Sequence, residues 1–242
     1  PADPTATDQL FWRPTAMTQA VEPGSTGKAV TMAAVLDATD LTPLSEFTVP
    51  SSEEFHGQTI NDANPHAEYD MTLAGIFARS YNVGTVKAAE EMSLQERFEY
   101  MKSFGIGEAN DIGLPAAAAG TLVPPEEWDN RQRSTTTFGQ AYTQTTLHTA
   151  QIYQALANGG EMAPASVIKS IVDPDGAEHA YPHREKHRVV SEQTAAEMIR
   201  MMETVVTRGT SKRAAVEGYR VGGKSSTCLL YTSDAADDLL CV

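Results

Sequence analysis

The feature that most restricts how this chain can fold is an apolar run at residues 29–36, which directly follows a break in the chain. The run reads Ala-Val-Thr-Met-Ala-Ala-Val-Leu, and Pro23 and Gly24 stand just before it. Pro and Gly interrupt regular structure, whereas an apolar run of this kind is typical of a buried helix. The sequence therefore predicts a helix from Ser25 to about Ala38 that other elements enclose.

The start of this helix carries a hydroxyl and an amine, those of Ser25 and Lys28. Residues three apart on a helix lie on one face, so these two side chains can meet. A serine hydroxyl becomes a good nucleophile when a base takes its proton. A lysine whose pKa is lowered by burial or nearby positive charge can be that base. Backbone N–H groups at a helix start add positive potential where an oxyanion forms. The pattern is typical of a serine acyltransferase that uses lysine in place of histidine.

A second copy of the same spacing shows how little the spacing means alone. About one S-x-x-K is expected by chance in a chain of this length, and this chain has another copy at Ser166 and Lys169. That copy lies in a β-branched run before the turn at residues 173–176, which predicts a strand. Residues three apart on a strand point to opposite faces. We therefore interpret Ser166 and Lys169 as non-catalytic.

The rest of the chain alternates predicted helices with loop-rich stretches. Ser93 and Glu96 form a capping box, and Ser191 caps a further helix. The predicted elements are, in order, short extended pieces within a loop-rich stretch over 39–70, helices over 72–79, 84–92 and 93–105, a surface loop over 107–133, a helix over 145–157, a hairpin over about 165–190, a helix from 191 and a strand beginning at 219–221.

Two further short patterns follow the S-x-x-K along the chain. Ser80-x-Asn82 lies in the break between two predicted helices, and Lys224-Ser225 follows two glycines at the end of the predicted strand. Each pattern is weak alone. In this order, spacing and context, the three are typical of class A β-lactamases and penicillin-binding proteins.

The resemblance to a known family covers roughly residues 1–227. The chain resembles class B penicillin-binding proteins, most of all the transpeptidase domain of the cell-division, septal type. The stretches that carry the resemblance are 22–26, Asp62 with His66, 79–84, 138–140, the predicted helix that ends at 157–160, and 208–210.

This resemblance implies both a fold and an activity. The fold is α+β, of the serine β-lactamase and transpeptidase type: an antiparallel sheet flanked by helices, plus an all-helical lobe, with the active site between them. The activity is that of a peptidoglycan D,D-transpeptidase, which cross-links stem peptides through a serine acyl-enzyme. No cofactor is implied.

Four catalytic candidates receive roles from the resemblance. Ser25 is expected to be the acylated nucleophile, and Lys28 its general base. Ser80 is expected to relay a proton to the leaving D-alanine. Asn82 is expected to orient Lys28 and to hydrogen-bond the substrate amide.

Three further candidates are expected to bind the substrate. Lys224 and the Ser225 hydroxyl would hold the terminal carboxylate of the stem peptide, and the backbone N–H groups of Ser25 and Thr227 would form the oxyanion hole. One position departs from the family, which has glycine where this chain has Ser226. A side chain there is expected to crowd the substrate carbonyl.

The chain is interpreted as two parts. Residues 1–227 are a transpeptidase domain fragment that is incomplete at both ends, and residues 228–242 are a non-native tail that resembles a translated sequencing adapter. The family has a pedestal domain, a membrane anchor and further C-terminal strands that the sequence lacks. We therefore expect the 242-residue polypeptide to be inactive or poorly folded although its parent is an enzyme.

The net charge and the composition limit which ligands and partners the chain is expected to bind. A formal net charge of −14 argues against nucleic acid, since phosphate binding needs a basic face. His179, His183 and His187 recur every four residues, but Pro182 would break a helix there, so no metal site is expected. The resemblance implies as partners the D-Ala-D-Ala stem peptide, β-lactams as inhibitors, division-complex proteins and a glycosyltransferase. It places the parent at the extracytoplasmic face of the bacterial membrane.

Two other functions stay open at this point. A β-lactamase or β-lactam sensor uses the same three patterns, but no convincing water-activating carboxylate follows Asn82, and catalytic turnover of nitrocefin would separate it from a transpeptidase. A non-catalytic division scaffold would keep the fold without the chemistry. The intact Ser25 and Lys28 argue against a scaffold, whereas Ser226 leaves it open.

Overall fold

The computed structural model describes residues 14–110, 112–114, 116–182 and 184–226. Thr227 and the tail over 228–242 lie outside these ranges, so the predictions made for them stay predictions. The described α-helices are α1 (Thr15–Thr18), α2 (Lys28–Ala38), α3 (Leu73–Arg79), α4 (Asn82–Ala89), α5 (Leu94–Ser103), α6 (Asn130–Thr135), α7 (Thr146–Ala157) and α8 (Glu192–Thr207).

Helix α2 is the buried helix that the apolar run predicts. Residues 32–36 are all buried, and the helix contacts α4, α5 and α8. It begins at Lys28 instead of Ser25, because a 3₁₀ turn over Gly24–Thr26 precedes it. Gly27 joins the turn to the helix with φ −62° and ψ −23°. Ser25 therefore still lies one turn before Lys28.

The described strands pair two by two, and every pair is antiparallel. The pairs are β1 (Ala20–Val21) with β6 (Gln144–Thr145), β2 (Glu46–Val49) with β5 (Tyr69–Thr72), β3 (Ser52–Phe55) with β4 (Gln58–Asn61), β7 (Glu161–Met162) with β10 (His187–Arg188), and β8 (Ser170–Val172) with β9 (Glu178–Ala180). Helices and antiparallel strands thus make up one chain, as the α+β prediction requires.

The strand predicted to begin at 219–221 is not formed, and within the described ranges the strands do not join into one larger sheet. The backbone bonds recorded for this segment are a turn bond from Tyr219 N to the Val216 carbonyl and a bond from Gly223 N to the Met202 carbonyl of α8. A strand exists only where another strand accepts its backbone bonds. Here the neighbour is a helix.

The predicted surface loop over 107–133 is only partly a loop. It contains a 3₁₀ turn over Pro125–Glu127 and the beginning of α6, which Asp129 and Gln132 open with a capping box. A helix as short as α6 has too few turns to show a periodic apolar pattern, so the sequence pattern did not predict it.

The predicted hairpin over 165–190 corresponds to β8 and β9, but β8 begins at Ser170. The prediction that Ser166 and Lys169 lie on a strand is therefore wrong. The Ser166 hydroxyl bonds the backbone N–H and carbonyl of Ile168, at 3.1 and 2.8 Å, and so closes a local turn. This hydroxyl serves the backbone and not the lysine.

Helix boundaries near the centre follow the sequence signals with one exception. Helix α3 ends at Arg79 as predicted, but α4 spans Asn82–Ala89 instead of 84–92, so the break is confined to residues 80–81 and Asn82 lies on α4. The capping box of Ser93 and Glu96 opens α5 as predicted. In the part of the chain that the structure describes, none of the helices has the length and apolar character to cross a bilayer. No cluster of His, Cys, Asp and Glu suited to a metal ion is found among the same residues.

Candidate active site

Side chains from four distant parts of the chain line one open cavity of about 240 Å³. They come from the 3₁₀ turn before α2, the loop after β4, the break between α3 and α4, and the segments after α8. The lining residues are Ser25, Ala63, Asn64, Arg79, Ser80, Tyr81, Asn82, Thr210, Ser225 and Ser226. The cavity therefore brings together members of all three sequence patterns.

Ser25 stands on a turn that another part of the backbone supports. The N–H of Gly24 donates to the Gly139 carbonyl at 2.9 Å. Gly139 has φ 86°, and a Cβ at this position would overlap the Gly24 carbonyl. Only glycine allows this positive φ together with such close approach. The segment at 138–140 thus fixes the turn that presents Ser25 to the cavity.

Lys28 is completely buried, and its amine faces the two residues of the second pattern. Its Nζ donates to the Ser80 carbonyl at 2.6 Å and to Asn82 Oδ1 at 2.7 Å, and lies 3.3 Å from Ser80 Oγ. Burial, and next the charge of Lys224, hold the pKa of Lys28 well below its ordinary value, against an opposite effect of Asp62. A lysine in this state can be neutral and accept a proton.

Ser80 occupies the break between α3 and α4 in a left-handed conformation, with φ 62° and ψ 33°. Such dihedral angles are uncommon for a residue other than glycine and often occur at functional sites. They place the Ser80 hydroxyl between two amines, 3.3 Å from Lys28 Nζ and 2.7 Å from Lys224 Nζ. A hydroxyl with two lysine neighbours is suited to pass a proton between donors and acceptors.

Asn82 is the first residue of α4, and its side-chain amide is oriented by the chain before it. Nδ2 donates to the Asn61 carbonyl at 2.9 Å, which leaves Oδ1 to accept from Lys28. An asparagine amide has one donor end and one acceptor end, so the Asn61 carbonyl determines which end faces the lysine.

Lys224 contacts the same Ser80 hydroxyl as Lys28. Its Nζ donates to Ser80 Oγ and, at 3.0 Å, to the Ser225 carbonyl. The ring of Phe77 lies 5.8 Å away. Burial lowers the pKa of Lys224 to about 8, so the amine is mainly charged at neutral pH. It can therefore hold an anionic group and also favour the neutral form of Lys28.

The two serines after Lys224 are both engaged. Ser225 Oγ lies 2.6 Å from Thr210 Oγ1, and Ser226 Oγ donates to the Pro23 carbonyl at 2.7 Å. The Ser226 side chain thus joins its segment to the loop just before Ser25. Thr227, the predicted oxyanion-hole residue, lies outside the described residues.

The sequence did not assign three further residues to the site: Asp62, His66 and Thr210. Asp62 and His66 belong to the stretches that carry the resemblance, and Asp62 accepts the backbone N–H of Asn82. Thr210 also belongs to a matching stretch, and here it bonds Ser225. In both cases a resemblance away from the three patterns was the available signal.

The arrangement provides the parts of an acyl-transfer site: a hydroxyl on a supported turn, a buried amine of low pKa, a second hydroxyl between two amines, and a charged amine beside that hydroxyl. It also provides an amide for hydrogen bonding. Ser25, Ser80 and Asn82 line the cavity, and the amines of Lys28 and Lys224 lie beside it through their contacts with Ser80. A nucleophile and groups that transfer protons are the parts that acyl transfer uses.

The chain is similar to a family of known proteins over most of its length. The family model "Penicillin binding protein transpeptidase domain" matches residues 1–238. "Penicillin-binding protein PbpB" of Mycolicibacterium smegmatis is 36% identical over 213 residues, which cover 85% of this chain and 33% of that protein. "Probable peptidoglycan D,D-transpeptidase FtsI" of Caulobacter vibrioides is 33% identical over 209 residues, which cover 85% of this chain and 34% of that protein.

A solved structure is also similar over most of the described fold. Penicillin binding protein 3 of Mycobacterium tuberculosis, in its apo form, matches with a TM-score of 0.84 and 34% identity, covering 87% of this chain and 49% of that chain. The same protein complexed with aztreonam matches with a TM-score of 0.78 and 33% identity, covering 86% and 45%. This chain spans about a third of the length of the curated relatives that it matches.

Proposed function

Because this chain belongs to the penicillin-binding protein transpeptidase family, we propose that it carries the acyl-transfer site of a peptidoglycan D,D-transpeptidase of the cell-division type. The observation that carries the proposal is the setting of Lys28. Its amine is buried, has a lowered pKa, and is held by Ser80 and Asn82 beside the cavity that Ser25 lines. A neutral amine there is the base that a serine nucleophile requires.

The first half of the reaction forms the acyl-enzyme. Ser25 Oγ attacks the carbonyl carbon of the penultimate D-alanine, and its proton passes to Lys28 Nζ. The bond between that carbon and the nitrogen of the terminal D-alanine then breaks. The leaving nitrogen takes up a proton through the Ser80 hydroxyl, which bonds both lysines. An ester on Ser25 and a free D-alanine result.

The second half transfers the acyl group to a neighbouring stem peptide. The amine of that peptide attacks the ester carbon and gives up a proton, and the bond to Ser25 Oγ breaks as the oxygen regains its proton. A new peptide bond cross-links the two strands. The same amine and hydroxyl, those of Lys28 and Ser80, move the protons in both halves.

The segment after α8 binds the substrate. Lys224 and the Ser225 hydroxyl hold the terminal carboxylate of a D-Ala-D-Ala stem peptide, and the backbone N–H groups of Ser25 and Thr227 stabilise the oxyanion. The peptide lies along residues 222–226 as an added strand.

The proposal includes where the reaction takes place and what inhibits it. β-Lactams that mimic the terminal dipeptide acylate Ser25, in line with the aztreonam complex of the M. tuberculosis protein. We place the site at the extracytoplasmic face of the bacterial membrane, with division-complex proteins and a glycosyltransferase as partners. The name of the Caulobacter vibrioides relative supports peptidoglycan as the material acted on.

Labelling with a fluorescent penicillin tests the proposal. The 242-residue chain should take up one label, and Ser25→Ala should take up none, whereas Ser166→Ala, in the second S-x-x-K, should label as fast as the wild type. This prediction replaces the expectation, drawn from the sequence, that the polypeptide is inactive, because the described residues assemble the site. A chain that melts cooperatively but takes up no label would contradict the proposal, and rapid turnover of nitrocefin would indicate a β-lactamase instead.

A further inference from the structure

Asn82 is held by two consecutive residues at the end of β4. Its side-chain Nδ2 donates to the Asn61 carbonyl at 2.9 Å, and its backbone N–H donates to Asp62 Oδ1. The next amide of α4, that of Val83, donates to the same oxygen at 3.1 Å. One short stretch thus fixes both the backbone and the amide plane of the residue that accepts from Lys28.

The Asp62 side chain has no exposed surface, so these bonds replace all contact with water. The first amides of a helix have no partner within the helix, and a carboxylate there is favoured by the positive end of the helix dipole. A buried carboxylate with amide partners alone would still be an uncompensated charge. The other oxygen of Asp62 provides the compensation, because it meets His66.

His66 faces acceptors with both of its ring nitrogens. Nε2 lies 2.9 Å from Asp62 Oδ2, and Nδ1 lies 2.6 Å from the Ala67 carbonyl. The Ala67 carbonyl has no proton to give, so Nδ1 carries one, and a second proton on Nε2 makes the ring a charged partner for the Asp62 carboxylate. Burial alone would lower the pKa of His66, but the bonds to Asp62 and Ala67 and the charge of Asp62 outweigh it and raise the pKa.

The imidazole ring is also fixed from its faces. It stacks on Tyr81 with 4.2 Å between ring centroids and on Tyr69 with 5.6 Å. Tyr81 is the middle residue of the second pattern and lines the cavity. The ion pair therefore contacts the Ser80–Asn82 break both through Asp62 and through the His66 ring.

We propose that Asp62 and His66 are positioning residues for the acyl-transfer reaction: together they hold the first turn of α4 so that Asn82 presents Oδ1 to the Lys28 amine. The inference deepens the proposed function and rests on it. Neither residue touches the reacting atoms. Their effect reaches the base through Asn82, the one side-chain amide that accepts from Lys28 among the described residues.

Acylation kinetics with a fluorescent penicillin test this role, because they separate the noncovalent dissociation constant from the rate constant of acylation. Asp62→Ala removes both the cap and the counter-ion. We expect its acylation rate constant to fall by about 100-fold, the usual effect of misplacing a catalytic group by an ångström, with the dissociation constant changed less than about threefold. Asp62→Asn keeps an oxygen for the α4 amides and should recover part of the rate.

Asp129→Ala is the matched control, because Asp129 also caps a helix, α6, away from the cavity. It should label at the wild-type rate even if its melting temperature falls as much as that of Asp62→Ala. Equal rate constants for Asp62→Ala and the wild type would overturn the inference. So would a loss in Asp62→Ala that appears only in the dissociation constant.

Nitrogen NMR of His66 gives a readout that does not depend on activity. The His66 ring should hold its second proton to a higher pH in the wild type than in Asp62→Asn, which lacks the carboxylate that raises the pKa of His66. A wild-type His66 that titrates like a free imidazole would contradict the inference. Equal labelling of the wild type and Ser25→Ala would contradict the proposed function. If Ser25→Ala loses the label but the Asp62 variants label like the wild type, the inference fails and the proposed function stands.

Discussion

At the scale of single residues, the site depends on one lysine that is kept away from water and another that is kept charged. Lys28 has no exposed surface and three close oxygen neighbours, while Lys224 also contacts the Ser80 hydroxyl. The charge of Lys224 adds to the effect of burial on Lys28. Burial and the charge of Lys224 thus favour the neutral form of Lys28, the form that its proposed task as a base needs.

Replacing Lys28 by an apolar residue of similar length should slow acylation strongly without leaving a cavity in the core. Lys28→Met keeps a side chain of similar length but has no proton acceptor, so we expect acylation by a fluorescent penicillin to slow by about 10²- to 10⁴-fold. The control is Lys169→Met, which removes the lysine of the second S-x-x-K and should leave the rate unchanged. A Lys28→Met variant that labels at the wild-type rate would show that another group is the base.

The second lysine predicts how affinity depends on pH. Burial lowers the pKa of Lys224 to about 8, and a lysine is charged below its pKa. Noncovalent affinity for a carboxylate-bearing β-lactam should thus be full below pH 8 and should fall by up to about tenfold for each further pH unit. In Lys224→Arg the guanidinium stays charged throughout, so the dissociation constant should be flat from pH 7 to 10. A parallel decline in both proteins would mean that Lys224 does not bind the carboxylate.

At the scale of elements, helix α2 and the backbone segment at 138–140 determine where the nucleophile stands. The helix is enclosed by α4, α5 and α8, and the 3₁₀ turn before it touches the turn over Thr136–Phe138. The contact between Gly24 and Gly139 joins these two turns. The nucleophile is therefore attached to the core at both ends of its turn.

Substituting Gly139 tests that support. In Gly139→Ala the new Cβ meets the Gly24 carbonyl while φ stays at 86°, which costs about 1–3 kcal/mol of backbone strain before any clash. We expect a lower melting temperature and a marked loss of penicillin labelling. Gly57→Ala is the comparison, because Gly57 also has a positive φ of 75° but open space around it. It should lose stability and keep its labelling rate.

The sequence could predict elements whose signals are local, and it failed where a distant partner decides the structure. The capping box at Ser93 and the break at Ser80 are written in neighbouring residues, and both are where the patterns placed them. Residues 219–221 have a strand-like composition, but β structure depends on an adjacent strand. The same holds for the role of Asp62, which becomes visible only when β4 and α4 meet.

At the scale of the whole molecule, the site is locally positive in a strongly acidic protein. The formal net charge is −14, yet Lys28, Lys224 and Arg79 stand at or beside the cavity. Because the proposed role of Lys28 needs a neutral amine, the positive charge comes from Lys224 and Arg79, and the largely buried amine of Lys224 keeps its local field because solvent screens it little. A local field of this kind lets an acidic protein hold an anionic substrate.

Removing the tail tests the division of the chain into two parts. A chain that ends at Thr227 lacks the segment over 228–242, which we interpret as non-native, so its melting temperature and its rate of penicillin labelling should equal those of the 242-residue chain. Differential scanning calorimetry and labelling kinetics measure both quantities. A fall in either one would show that the tail contributes to the domain.

The hydrogen-bonded groups of the site are far apart in the sequence, and this affects how the molecule folds. Lys28 and Ser80 are 52 residues apart, and Ser80 and Lys224 are 144 residues apart. Closing loops of that length is slow and comes late in folding. A penicillin that reacts only when Lys28, Ser80 and Lys224 are in contact would therefore label only fully folded molecules. The labelled fraction, followed during refolding, would give the rate of the last folding step.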